Sequence, residues 1–288
     1  MKLRGRTVIV TGASSGIGRE TAREFARAGS NVVLAARNEA ALERVAEELA
    51  ALPGKRLVVP TDVRDEAAVN AMVERTVQEF GGADVLVNNA GAGLRATVAE
   101  GRIDNMRYII DVNLLGVVYC VQAVVPHMRK PRGGAIVNVS SVAGRIATPY
   151  SGVYSATKAA LTALTDALRL ELEPDGIVVT AVYPGYTATE FAENAIQEVE
   201  MPAPPSRLMR GAPAAAVART IVKAVRRSSR EAFVTRGDAF AVTVKNLSPR
   251  LVDWGIRRLW LRSQRPVARA ESKIGWTEVL NLIASHDD

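Results

Sequence analysis

The chain has 288 residues, 48% hydrophobic and 23% charged, the make-up of an ordinary soluble globular protein with room for one large α/β domain. A single cysteine, Cys120, excludes an internal disulfide framework, and the two histidines, His127 and His286, stand far apart without thiols or carboxylates at ligand spacing, so no metal is expected. The net charge of +7 lies mostly after residue 206, which directs any search for an anionic partner to the C-terminal part.

The apolar run in "TVIVTG" before Gly12 is far too short for a secretory segment, and no run approaches about 18 uninterrupted apolar residues. No membrane span is expected, and the expected location is the cytoplasm. Along the chain, apolar β-branched runs alternate with helical patterns: "TVIVTG", "NVVLAAR", "RLVVPTD", "DVLVNNAG", "GAIVNVSS", "IVVTAVYPG" and, weakest, "EAFVTRG". Continuous rather than alternating apolar character marks strands buried on both faces, and the rhythm predicts a doubly wound parallel α/β sheet of seven strands with helices on both sides. Between the second and third runs, Leu42, Val45, Ala46 and Leu49 recur at helical spacing within 38–52. The expected division is one α/β domain over 1–237 and a basic, mostly helical extension over 238–288.

The first run passes directly through "TGASSGIG" into a helical pattern. Gly12, Gly16 and Gly18, interleaved with Ser14, Ser15 and Ile17, let backbone approach a pyrophosphate whose charge faces the free N–H groups of a helix N-terminus. The second run ends in Ala35 and Ala36, followed by Arg37, where NAD sites usually carry a carboxylate for the ribose 2′-OH. Its absence relieves repulsion against a 2′-phosphate, and a guanidinium matches phosphate geometry, so the expected cofactor is NADP(H). Further on, Tyr154 and Lys158 stand four residues apart, on one helical face, where the ammonium is expected to lower the phenol's pKa into a range useful for proton transfer. Ser141, at a strand's C-terminal end, offers a hydroxyl to a carbonyl or alcohol oxygen. A serine hydrolase is not expected, because neither histidine lies near a strand-end serine.

Together "TGASSGIG", "TDV", "NNAG", "DVN", "VSSVAG" and "YSATK" resemble the short-chain dehydrogenase/reductases over roughly residues 5 to 237. The resemblance implies a Rossmann-type fold and hydride transfer between nicotinamide and a ketone or alcohol. By it, Asp62 and Val63 border the adenine, and Asn89, Ala90 and Gly91 lie along the cofactor. Tyr154 is the general acid/base, Ser141 holds the reacting oxygen, Lys158 also bonds the nicotinamide ribose, and Asn113 supports a water in the proton relay. Pro184, Gly185, Thr187 and Thr189 continue the pattern, with Thr187 favoured over Thr189 for the carboxamide. A homodimer or homotetramer is implied through the fourth and fifth crossover helices. The alternative, a catalytically silent dinucleotide-binding sensor or scaffold, would be expected to have lost the tyrosine or lysine.

Residues 186–211 are expected to form a lid, in which Phe191, Ile196, Val199, Met201 and Met209 suggest an apolar carbonyl or alcohol substrate. In the tail, Ser248 and Pro249 are expected to start a helix reaching Arg262, with Val252, Ile256, Leu259 and Trp260 on one face and Arg257, Arg258, Arg262 and Arg265 around it. That face is expected to dock on the protein or a sister subunit. A peripheral, salt-sensitive contact with an anionic membrane is the competing reading, and no nucleic-acid module is recognisable.

Overall fold

The computed structural model describes residues 1–129, 133–199 and 211–258. Among them seven strands pair into one parallel sheet: β1 (Thr7–Thr11), β2 (Asn31–Ala36), β3 (Arg56–Pro60), β4 (Val85–Asn88), β5 (Gly134–Val139), β6 (Ile177–Tyr183) and β7 (Glu231–Phe233). These are the seven expected runs, in the order β7-β6-β5-β4-β1-β2-β3. The direction of winding reverses between β1 and β4, which opens a crevice at the strands' C-terminal ends.

Successive residues of β1 explain its unbroken apolar composition. Ile9 faces a layer built from α3 (Glu66–Phe80), α5 (Gly116–Met128) and α6 (Gly152–Leu172), whereas Val8 and Val10 face α1 (Gly16–Arg27), α2 (Glu39–Glu48) and α7 (Ala214–Arg227). Each such fully buried aliphatic side chain contributes about 1.5 to 3 kcal/mol. Helix ends are fixed locally: the Asn38 side chain accepts from the Ala41 N–H, Asp65 accepts from Ala67 and Ala68, and α3 stops at Gly81 with φ 77°.

Residues Ile103–Met128 run on as one helical stretch, α4 (Ile103–Ile110), a π-turn (Asp111–Leu115) and α5, long and apolar enough by composition to cross a membrane. Uninterrupted apolar length had not revealed it. Half of it is buried within the fold, and Cys120, Val121, Val124 and Val125 belong to the core beneath the sheet, which accounts for the composition.

After β6 the chain folds back over the crevice, and two short ladders pin it. Thr187–Ala188 pairs with Ala212–Pro213, and Ile196–Gln197 pairs with Leu94–Arg95. Met201 and Met209 lie outside the described residues. α8 (Arg236–Leu247) opens with a reciprocal cap between Thr235 and Asp238. Residues 249–258 are helical, and the Ser248 carbonyl accepts from Leu251 at 3.2 Å. Val252 and Ile256 are half-buried, as a docked face requires, but Leu251 and Trp254 beside them are 55% and 58% exposed. Leu259, Trp260, Arg262, Arg265 and His286 fall outside the described residues.

Candidate active site

The motifs "TGASSGIG", "TDV", "NNAG" and "VSSVAG" each follow a parallel strand and so meet at the C-terminal edge of the sheet, whereas "DVN" and "YSATK" are carried there by helical segments. The glycine turn joins β1 to α1. Gly12 adopts φ +66°, and a Cβ on Gly18 would run into the Gly12 carbonyl, so the strand-to-helix approach requires residues without side chains. Ser15 takes the N-cap position of α1 with its side chain making no cap bond, which leaves that hydroxyl and the first N–H groups available to an anion beside Ser14 and Ile17. This cradle fits a dinucleotide pyrophosphate.

The neighbouring motif secures the turn. Asn89 Nδ2 donates to the carbonyls of Thr11 (2.9 Å) and Gly12 (3.3 Å), and the N–H groups of Asn89 and Ala90 both donate to Thr11 Oγ1 at 3.0 Å. The Asn89 side chain therefore fastens β1 to β4. Thr11, buried in the first strand, is the other half of this fastening; sequence reasoning passed over it because a threonine in a strand carries no signal of its own. Val63 is buried against Gly116 at the start of α5, and the Asp62 carboxylate takes three hydrogen bonds from the Arg64 side chain, the shortest 2.6 Å. Arg64 first, and Arg37 further away, hold the Asp62 carboxyl below its usual range. Arg37 is exposed at the end of β2 and donates to the Tyr108 hydroxyl at 3.2 Å.

The inner end of the crevice is built on α6 and the π-turn. The turn carries the fully buried Asn113, whose amide accepts from the Ala92 N–H (2.8 Å) and donates to the Ala92 carbonyl (2.9 Å) and to Thr157 Oγ1 (3.1 Å). Widening a helix by one residue redirects side chains, and here it lets Asn113 clamp the strand-end loop. Asn113 Oδ1 and Lys158 Nζ both lie beside Gly91, within 3.2 and 3.6 Å of where a Cβ on that residue would stand. Lys158 Nζ donates to the Val139 carbonyl at 2.9 Å, using one of three protons, and lies 5.9 Å from the centre of the Tyr154 ring. Ser141 Oγ donates to Pro184 O at 3.3 Å and accepts from the Ala143 N–H at 3.1 Å.

The electrostatics of this pair depart from the sequence expectation. Tyr154 is half-buried, and burial pushes its phenol up to about 12, with Ser141 pulling weakly the other way. Burial lowers the Lys158 ammonium to about 8. Desolvation thus outweighs the attraction between the two groups. The sequence could not reveal this, because the crowding comes from distant segments, among them Phe191, whose ring centre lies 5.8 Å from that of Tyr154.

Past β6, Thr187 Oγ1 donates to the Gly185 carbonyl at 3.1 Å, whereas Thr189 approaches the glycine turn, its methyl 3.3 Å from where a Cβ on Gly16 would stand. The carboxylate of Asp238, on α8, stands where a side chain on Gly185 would go. An apolar cluster closes on Tyr154 from the other side: Leu94, Ala96 and Ile109 are buried, with Met106, Val153 and Ile196 packed around them.

Residues 6–200 match the family model described as short chain dehydrogenase. The chain is 36% identical over 256 residues to dehydrogenase/reductase SDR family member 7B of Mus musculus, covering 86% of this chain and 79% of that protein. Among solved structures, a short chain dehydrogenase/reductase from Burkholderia phymatum in complex with NAD superposes with TM-score 0.78 at 27% identity, over 87% of this chain and 96% of that one. The 3-ketoacyl-(acyl-carrier-protein) reductase from Brucella melitensis complexed with NADH gives TM-score 0.72 at 29% identity, over 81% and 99%.

Proposed function

The chain belongs to the short-chain dehydrogenase/reductase family of oxidoreductases, and from that premise we propose that it is an NADP(H)-dependent reductase of apolar carbonyl compounds, with Tyr154 as the proton donor. The observation that carries the reading is the convergence of Tyr154, Lys158, Ser141 and Asn113 at the inner end of a crevice whose outer end is a glycine turn fitted to pyrophosphate.

The cofactor, when bound, supplies or accepts the hydride. The protein's own residues do the rest. Gly12, Ser14, Ser15, Gly16, Ile17 and Gly18 receive the pyrophosphate, and Asp62, Val63, Asn89, Ala90 and Gly91 line the path between the adenine and nicotinamide ends. Lys158 has two protons left for the ribose once Val139 is satisfied. Pro184, Gly185, Thr187 and Thr189 flank the carboxamide. Ser141 turns its hydroxyl from Pro184 toward the substrate oxygen, and Tyr154 gives that oxygen its proton as the carbon is reduced. Tyr154 is protonated at neutral pH, with burial holding the phenol up to about 12, and this is the form that reduction of a carbonyl needs. Arg37 supports the phosphorylated cofactor, since no carboxylate at the end of β2 competes for its charge and it forms no ion pair among the described residues. The apolar cluster beside Tyr154, with Phe191 over it, supports an apolar substrate.

Ile110, Leu115 and Leu170, exposed on the fourth and fifth crossover helices, support a homo-oligomer joined there. Exposed Leu251 and Trp254 among Arg250, Arg257 and Arg258 support a peripheral, salt-sensitive contact to anionic membrane. The deciding experiment follows NADPH oxidation across aliphatic, aromatic and steroid-like ketones with wild type and Tyr154→Phe. Turnover by the wild type alone, with NADPH binding equal in both, supports the reading; absence of turnover across the panel overturns it.

A further inference from the structure

The outer end of the crevice holds a cluster that the sequence motifs did not contain. Tyr108 is on α4, 71 residues from Arg37, yet Arg37 Nη1 donates to its hydroxyl at 3.2 Å, and the Arg64 guanidinium lies over its ring, 4.8 Å from the centroid. The two arginines are in different states. Arg64 is committed to Asp62 through a bidentate ion pair, with a side-chain distance of 2.6 Å, which also fixes its plane against the tyrosine. Arg37 has no carboxylate within ion-pair distance among the described residues, acting on Asp62 only from further away, and its one side-chain hydrogen bond there goes to the tyrosine oxygen.

A phenol oxygen that accepts from Arg37 keeps its own proton to donate. The exposed edge of this cluster therefore presents an uncommitted guanidinium, a fixed second guanidinium and an O–H donor. That combination suits a phosphate monoester, which carries about −1.5 to −2 charge and three strong acceptor oxygens. A ribose 2′-OH could use only one of these groups and would leave the Arg37 charge unanswered.

We infer that Tyr108 is a cofactor-selecting residue: it holds Arg37 in place for the 2′-phosphate of NADP(H) and donates its own hydroxyl proton to that phosphate. The inference rests on the proposed preference for NADP(H) and adds a residue, and a reason, to it. Tyr108 serves the phosphate rather than the adenine, so removing only its oxygen affects one cofactor and spares the other. The ring must stay, because Arg64 lies on it.

The test measures dissociation constants of NADPH and NADH, by fluorescence titration of the full chain, for wild type, Arg37→Ala and Tyr108→Phe, with thermal melts to verify folding. Losing a hydrogen bond to a charged group at a partly exposed site corresponds to about a five- to tenfold weaker NADPH complex in Tyr108→Phe, with NADH unchanged within about twofold. Competition by 2′-AMP should weaken in parallel, and competition by 5′-AMP should not. If wild type binds NADH as tightly as NADPH, the cofactor reading itself fails. If wild type prefers NADPH and Arg37→Ala removes that preference while Tyr108→Phe keeps it, the cofactor reading stands and the role of Tyr108 is overturned. Equal weakening of both cofactors in Tyr108→Phe overturns it too, since that outcome marks a residue that only packs on the adenine.

Discussion

The two ends of the crevice solve different electrostatic problems with similar residues. At the inner end, Lys158 and Tyr154 are crowded, and burial moves both toward neutrality: the ammonium down to about 8, the phenol up to about 12. At the outer end, Arg37 and Arg64 stay exposed, and their charge lowers the pKa of Asp62 instead. Position inside such a site is set by hydrogen bonds to backbone, as with Lys158 on Val139 and Asn113 on Ala92. Outside, Arg64 is set by its ion pair with Asp62 and Arg37 by the Tyr108 hydroxyl, and the charges they carry are open to screening by salt. The inner end should therefore govern rate and pH response, and the outer end cofactor choice and salt response.

The sharpest way to break this contrast is at Tyr154. Replacement by Phe removes the proton donor and keeps the ring that packs near Phe191, so kcat should fall about 10²- to 10⁴-fold with NADPH affinity unchanged. Steady-state kinetics with a responsive ketone checks the first part and cofactor titration the second. A variant that kept its rate would move proton transfer elsewhere and dissolve the distinction between the two ends.

Lys158→Met sharpens the comparison on the stability side. An ammonium whose pKa falls from 10.5 to about 8 on folding destabilises the native state at neutral pH by roughly 3 kcal/mol. Orphaning the Val139 carbonyl costs about 1 to 2 kcal/mol in return, so the variant should be about 1 to 2 kcal/mol more stable at pH 7 while losing turnover. The sign follows from proton counts: between about pH 8 and 10.5 the unfolded chain holds the Lys158 proton and the folded chain does not. Wild type should gain stability relative to the variant across that window, and denaturant midpoints measured at pH 7 and pH 10 give both numbers. A stability gap independent of pH would show that Lys158 is not desolvated.

Arg37→Ala examines the outer end. The NADPH complex should weaken about tenfold at low ionic strength, by less at 0.5 M salt, with NADH little affected. A salt-independent loss would place Arg37 in a shielded setting like that of Lys158.

These positions also show how far the amino-acid order could be read. The inner strands were legible because each is apolar on both faces, the half-buried edge strand β7 gave the weakest signal, and Tyr154 and Lys158 were legible because a helix brings residues four apart onto one face. What was not legible depends on segments remote in the chain. The direction of the Tyr154 shift comes from burial, with Phe191 of a remote segment among its neighbours; Tyr108 reaches Arg37 across 71 residues; Asp238 meets Gly185 across 53; and the Asn89 amide fastens the glycine turn through the Thr11 and Gly12 carbonyls, a role its motif alone did not reveal. The end of the tail helix and the stretch holding Met201 and Met209 lie outside the described residues.

The smallest expected effect belongs to Glu198, which ties the segment over Tyr154 to the rim of the crevice. α4 begins at Arg102 without a side-chain cap of its own, and the Glu198 carboxylate supplies one from across the crevice: Oε2 accepts from the Arg102 N–H at 2.9 Å and Oε1 from Asn105 Nδ2 at 2.6 Å. The Asn105 amide first, and the Arg102 N–H second, hold this carboxyl below its usual range. Its folded pKa is depressed, so the tie is complete at neutral pH and is released only as pH falls through that lowered value. Glu198→Gln keeps one acceptor oxygen and turns an NH₂ toward a donor, half-breaking the tie at every pH. The backbone ladder from Ile196 to Gly93 and from Glu198 to Arg95 remains, so the segment should loosen rather than detach. Amide exchange over 190–199 should speed up by about two- to threefold, and KM for an apolar ketone should rise by a similar factor with kcat nearly unchanged. Exchange that stays at the wild-type rate would mean that the ladder alone holds the segment and that the carboxylate merely caps α4.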